Sequence, residues 1–169
     1  MGLRLANIAA AAAASAAALV APANAATVEA KVKATVVKPL VIRSIQDLDF
    51  GTVVLGPGTW SGATINLSRT GVLSCPVSVT CSGATQAATY NIAGSNHQTV
   101  VISAPDIVLV NQRDPRSTLT LVVDSPATVT LTNSGVQGLD FSIGGSISVD
   151  STTSDGDYAG TFDVTADYQ

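Results

Sequence analysis

From residue 27 to the end of the chain, no window returns its apolar residues at the three-to-four spacing of an amphipathic helix. Short runs of Val, Ile, Thr and Leu recur instead between clusters of Gly, Pro, Asn, Asp and Ser. The runs fall at residues 28–36, 40–45, 48–54, 63–67, 88–92, 99–103, 107–110, 119–123, 128–131, 139–143, 146–149 and 158–168. Strands this short and this frequent, with no βαβ pattern, predict one all-β domain: an antiparallel β-sandwich or barrel. No internal repeat or second domain is visible.

The first 25 residues read as a targeting segment. Arg4 is the only early charge, an alanine-rich apolar run follows from 5 to 21, and Ala23-Asn24-Ala25 has the small-x-small form of a signal-peptidase site. Cleavage is expected between Ala25 and Ala26. The run is near the lower limit for a membrane span and alanine is weakly apolar, so a helical signal peptide is favoured over an anchor.

The two ends of the remaining chain alternate most regularly. Val28, Ala30, Val32, Ala34 and Val36 take the even positions, while Thr27, Glu29, Lys31, Lys33 and Thr35 take the odd ones. The phase breaks at Val37-Lys38-Pro39, where proline removes a ladder donor. Near the other end Tyr158, Gly160, Phe162, Val164, Ala166 and Tyr168 alternate with Ala159, Thr161, Asp163, Thr165, Asp167 and Gln169. Each segment therefore predicts a strand with one apolar and one wet face, Tyr168 turned inward.

Several chemistries are short of residues. The net charge is -4, which provides no basic surface for nucleic acid. One histidine and two cysteines cannot assemble the usual zinc frameworks, and a Ser-His-Asp triad could use only His97. His97 follows Gly94-Ser95-Asn96 and reads as an exposed hairpin-loop residue. Asp47 and Asp49 share one strand face and read as solvent-facing, since a glycosidase pair needs a cleft and aromatic platforms, and Trp60 is the one tryptophan. Asp150, Asp155, Gly156 and Asp157 could offer oxygen ligands to calcium, but their spacing does not fit an EF-hand, so a turn is expected. Asn66-Leu67-Ser68 matches a glycosylation sequon, a pattern too short to carry weight, and Arg113-Asp114-Pro115-Arg116 reads as a charged turn. The expectation is a protein with no catalytic, cofactor or metal centre.

Cys75 and Cys81 allow two incompatible readings. Leu73, Cys75, Val77, Val79 and Cys81 share one parity, as in an amphipathic strand. Six residues of strand span about 20 Å, whereas a disulfide tolerates roughly 7 Å between Cα atoms. Pro76 is unsuited to a central strand, and in an oxidising compartment a lone pair of cysteines bonds more often than not. A disulfide closing a curled loop is favoured.

The end patterns resemble chaperone-usher pilins, which finish in an alternating strand with a penultimate aromatic and a glycine near the fourteenth residue from the end. Tyr168 and Gly156 stand at those places here. The segment with Val28 to Val36 is similar to a pilin donor strand. Gln46-Asp47-Leu48-Asp49-Phe50-Gly51 and Tyr158-Ala159-Gly160-Thr161-Phe162 look like an uncharacterised family of exported Gram-negative proteins related to pilins, the likeness covering roughly residues 35–168.

The resemblance implies an immunoglobulin-like antiparallel β-sandwich over residues 39–169, a donor-strand extension over 26–38, and the helical signal peptide over 1–25. It further implies a structural subunit of a surface fibre, polymerised by donor-strand complementation. Val28, Ala30, Val32, Ala34 and Val36 would plug the acceptor groove of another copy, walled by Phe162, Val164, Ala166 and Tyr168. A periplasmic chaperone and an outer-membrane usher would be partners in transit from the periplasm to the surface of a Gram-negative bacterium. The best-known pilins bridge two early strands across a long loop, unlike the five residues between Cys75 and Cys81. The alternative is a self-complemented monomeric module, secreted or periplasmic, that binds a glycan or protein.

Overall fold

Better-covered and exposed side chains alternate along many of the strands, and where they do the alternation decides which face turns to the core. The computed structural model describes residues 26–132 and 137–169. The expected signal peptide, residues 1–25 with Ala25 at its cleavage position, lies outside the described residues. The chain divides into two units, Met1–Thr35 and Val36–Gln169. In the first, residues 26–35 belong to no strand and are exposed throughout, so the strand expected over 28–36 is not formed in the single chain. The physical reason is that one strand has no hydrogen bonds of its own, and apolar alternation holds it extended only beside a neighbouring edge.

The second unit is all-β, with no helix among its described residues. In chain order the strands are β1 (Val41–Gln46), β2 (Thr52–Leu55), β3 (Ala63–Leu67), β4 (Leu73–Ser74), β5 (Val79–Ser82), β6 (Ala88–Ala93) and β7 (Thr99–Ser103). They continue with β8 (Ile107–Asn111), β9 (Thr118–Asp124), β10 (Thr128–Thr130), β11 (Leu139–Val149), β12 (Tyr158–Ala159) and β13 (Thr165–Tyr168). Every pairing among them is antiparallel. The largest sheet runs β1-β6-β11-β9-β8-β12, with β3 also on β11 and β4 on β3; β10-β7-β13 and β2-β5 are separate ladders.

β11 holds the arrangement together. Residues 139–143 pair with β6, whereas 144–147 pair with β9 and 145–149 with β3. Phe141 and Ile143 enter one apolar cluster with Ile92, Val100, Ile102 and Leu131. Ile147 and Val149 enter a second with Ile65, Val79 and Leu121. Full burial of a side chain of this size contributes about 1.5–3 kcal/mol. Gly144 and Gly145, expected to separate two strands, lie inside this one. They are required by close approach: a Cβ on Gly144 would strike the Leu67 carbonyl, and one on Gly145 would meet the Val122 oxygen at 2.8 Å.

Three other expectations are corrected. The single strand over 158–168 is two, because β12 pairs with β8 and β13 with β7. Between them the backbone passes so near β8 that a Cβ on Gly160 would lie 2.9 Å from Leu109. The loop holding His97 is not a hairpin, since β6 and β7 belong to different ladders. Finally, the strand over 48–54 is broken at Gly51, whose φ is +67°.

Cys75 and Cys81 are bonded, with Cα atoms 6.4 Å apart. A turn closed by the Val79 amide on the Pro76 carbonyl, 3.1 Å, curls the loop. Val77 is driven into solvent there, while Val79 and Cys81 keep the inward parity on β5. Breaking the bond with Cys75→Ser should lower unfolding free energy by about 2 kcal/mol, the loop-closure value for so short a ring. Urea denaturation of both proteins with unchanged slope checks this; an unmoved midpoint would deny the bond a stabilising role.

Candidate functional site

The first apolar cluster borders two strands that are each paired on one side only among the described residues. β1 pairs with β6 and β13 with β7. Leu40, Ile42 and Leu48 from the first border, and Phe162, Val164, Ala166 and Tyr168 from the last, pack half-buried against the cluster. Parity explains the inward row: residues 162, 164, 166 and 168 are half-buried and 161, 163, 165, 167 and 169 exposed. Only Ala166 and Tyr168 lie in the β13 ladder; Phe162 and Val164 belong to the crossing segment, and Phe162 also touches the second cluster.

Tyr168 ties the two borders together. Its hydroxyl donates to the Lys38 carbonyl at 2.7 Å and accepts the Ser95 amide at 2.8 Å. The Lys38 amide donates back to Ser95 Oγ at 2.6 Å. Gly94 makes room, since a Cβ there would lie 2.5 Å from the hydroxyl and 2.8 Å from Leu40. β1 itself bulges at Ile45, where the register steps from Ser44 opposite Tyr90 to Gln46 opposite Thr89. The bulge turns Ile45 outward, and Tyr90 stacks on Phe141 across the β6-β11 ladder with ring centroids 5.7 Å apart. Burial, with a smaller contribution from the Asp47 charge, raises the pKa of the Tyr90 phenol above its ordinary value.

The residues expected as plugs, Val28, Ala30, Val32, Ala34 and Val36, have the opposite character. Val28 and Val32 are 91% and 92% exposed and Val36 is 93% exposed, with Ala30 and Ala34 also in solvent. These three valines, alternating with alanines along the even positions, make an apolar row at strand spacing that has no cover in the single chain. Two unpaired sheet borders over an apolar cluster can accept such a row through backbone hydrogen bonds and side-chain burial.

The remaining candidates are structural. Asp47 and Asp49 face solvent, Asp49 accepting the Gly51 amide at 2.8 Å. His97 is exposed with φ +59°, its amide bonded to the Leu131 carbonyl. Asp150 accepts hydrogen bonds from the Thr152 hydroxyl and amide at 2.7 and 2.8 Å, making a turn as expected. No cluster of three metal-binding side chains occurs among the described residues.

Sequence reasoning missed Asn111, the one buried polar side chain described in the core. Its amide donates to the Asp155 carbonyl at 2.9 Å, and its oxygen accepts the Arg113 and Asp114 amides. A Cβ on Gly156 would fall 2.6 Å from that amide group, and Gly156 has φ +142°. Asn111 thus joins the charged turn to the loop before β12. Its position just ahead of Asp114-Pro115 was the available signal for side-chain capping of a turn.

Residues 40–168 match the family described as Domain of unknown function (DUF4402). No curated protein and no solved structure gives a match.

Tyr168→Phe, which leaves the Ser95 amide and Lys38 carbonyl without their partner, should cost about 1–2 kcal/mol in urea unfolding. An unchanged midpoint would remove the tie between the borders from the stability of the site. The hydrogen bonds at Asp150, led by the Thr152 hydroxyl, hold its carboxyl below the ordinary value of 3.8. Their contribution is complete above that value and is lost as pH falls through the lowered folded-state value. Thermal melts from pH 5 to 2 should therefore show a smaller acid-induced decrease in Tm for Asp150→Ala than for the unaltered protein.

Proposed function

The chain belongs to the family described as Domain of unknown function (DUF4402), and we propose that it is a structural subunit of a surface fibre, assembled by strand exchange between copies. On this proposal the body is an immunoglobulin-like sandwich short of one strand. The segment with Val28, Ala30, Val32, Ala34 and Val36 supplies that strand to the next copy, and Phe162, Val164, Ala166 and Tyr168 wall the groove that receives it. The carrying observation is that one chain has both an uncovered apolar row, in no strand of its own, and two one-sided strands, β1 and β13, over an apolar cluster.

The energetics favour the exchange. Burying three valines contributes about 5–9 kcal/mol, and the backbone ladder adds to it. Each copy would be donor at one end and acceptor at the other, a head-to-tail contact that yields a filament when its rotation does not close. An empty groove is an aggregation hazard during export, which is the physical reason for a periplasmic chaperone and an outer-membrane usher as partners on the way to the cell surface. The monomeric glycan- or protein-binding module requires the first strand to be satisfied at home, and residues 26–35 standing in no strand weigh against it. No step of bond making or breaking enters this function.

Surface material sheared from cells should run on a denaturing gel as a ladder of multiples of the subunit, collapsing to one band on boiling. A single band without boiling, with particles of subunit size, would overturn the proposal in favour of the monomeric module. Val32→Asp should abolish the ladder, because it places a charge in the apolar groove; normal fibres from that variant would exclude the segment as donor.

A further inference from the structure

We propose that copies select one another by charge as well as by shape, Lys31 and Lys33 of the donor segment pairing with Asp163 and Asp167 beside the receiving edge of the next copy. This rests on the strand-exchange reading.

Parity carries the inference. If the even residues of both segments face the cluster, the odd residues of both share the outer surface, whatever register is taken. The donor's outer row contains Lys31 and Lys33, with Glu29 as its acid. The receiving row contains Asp163 and Asp167, both exposed. Neither aspartate is in an ion pair among the described residues, where Arg69 pairs with Asp124 at 3.2 Å. The β7 ladder does not balance them: Asp167 stands opposite Val101, and Thr165 opposite Ser103. On the other border, β1 presents Arg43, a cation suited to Glu29. Lys31 and Lys33 are neighbours on their row, and Asp163 and Asp167 flank Thr165 on theirs, so a register that lays residues 31–33 alongside 163–167 brings opposite charges within direct or diagonal reach.

The test uses the whole mature chain, residues 26–169, refolded from denaturant at rising concentration, with multimer growth followed by light scattering. Lys31→Asp with Lys33→Asp, and separately Asp163→Lys with Asp167→Lys, should each slow assembly about tenfold at 50 mM salt, since both place like charges in opposite rows. All four changes in one chain restore opposite signs and should restore the original rate. At 500 mM salt the differences should shrink, as expected for exposed charges. Equal rates for all four proteins, or a fourfold variant as slow as the double ones, would overturn the charge pairing while leaving strand exchange intact. An unaltered chain that stays monomeric at every concentration would remove strand exchange itself, and the charge rows with it. Because all four side chains are exposed, unchanged Tm values of the refolded variants exclude a folding defect as the cause.

Discussion

The contact of greatest consequence is the backbone-to-backbone approach at Gly144 and Gly145. There a single strand leaves β6 and joins β9 and β3, so both apolar clusters share one continuous peptide segment. Any side chain at the crossing would push it from the Leu67 or Val122 backbone. Every other strand of the largest sheet is positioned through this one: β1 through β6, and β8 and β12 through β9. The border that β1 offers is thus set by a glycine pair far from it in sequence.

Alternation discloses faces and is silent about edges. The inward rows of β3, β7 and β9 could be read from the sequence because a two-residue period follows from strand geometry itself. Which side of a strand is paired depends on where another segment arrives, and nothing local encodes that. Gly144 and Gly145 read as punctuation because glycine serves turns and close approaches equally. The break between β12 and β13 was hidden for a related reason. Phase is preserved from Tyr158 to Tyr168 while the backbone changes ladders, so the pattern stays regular where the pairing does not.

The site divides along the same line. Phe162, Val164, Ala166 and Tyr168 were legible as one inward row, and they do lie together on the first cluster. That only Ala166 and Tyr168 of this row lie on a one-sided border appeared with the pairing. The partners of the Tyr168 hydroxyl were invisible, as Lys38 is 130 positions away. Asn111 escaped because a buried amide and a surface turn amide look alike until the backbone folds over them. The disulfide was accessible by exclusion: strand spacing and bond length could not both hold, and proline decided between them.

The distant reach of Tyr168 also bears on the order in which the molecule can become organised. Its hydroxyl closes on residues 38 and 95, and β13 joins β7 more than sixty residues upstream. Contacts of such sequence separation require large loops to close before they return any energy, which slows folding. The cluster beside β1 draws Leu131, Phe141 and Ile143 from late in the chain, so it cannot close until β11 is in place, and Ala166 and Tyr168 cover it later still. Until β13 docks, the cluster lacks that cover and residues 38 and 95 lack their common partner, so the strand acts as the clock that ends the interval.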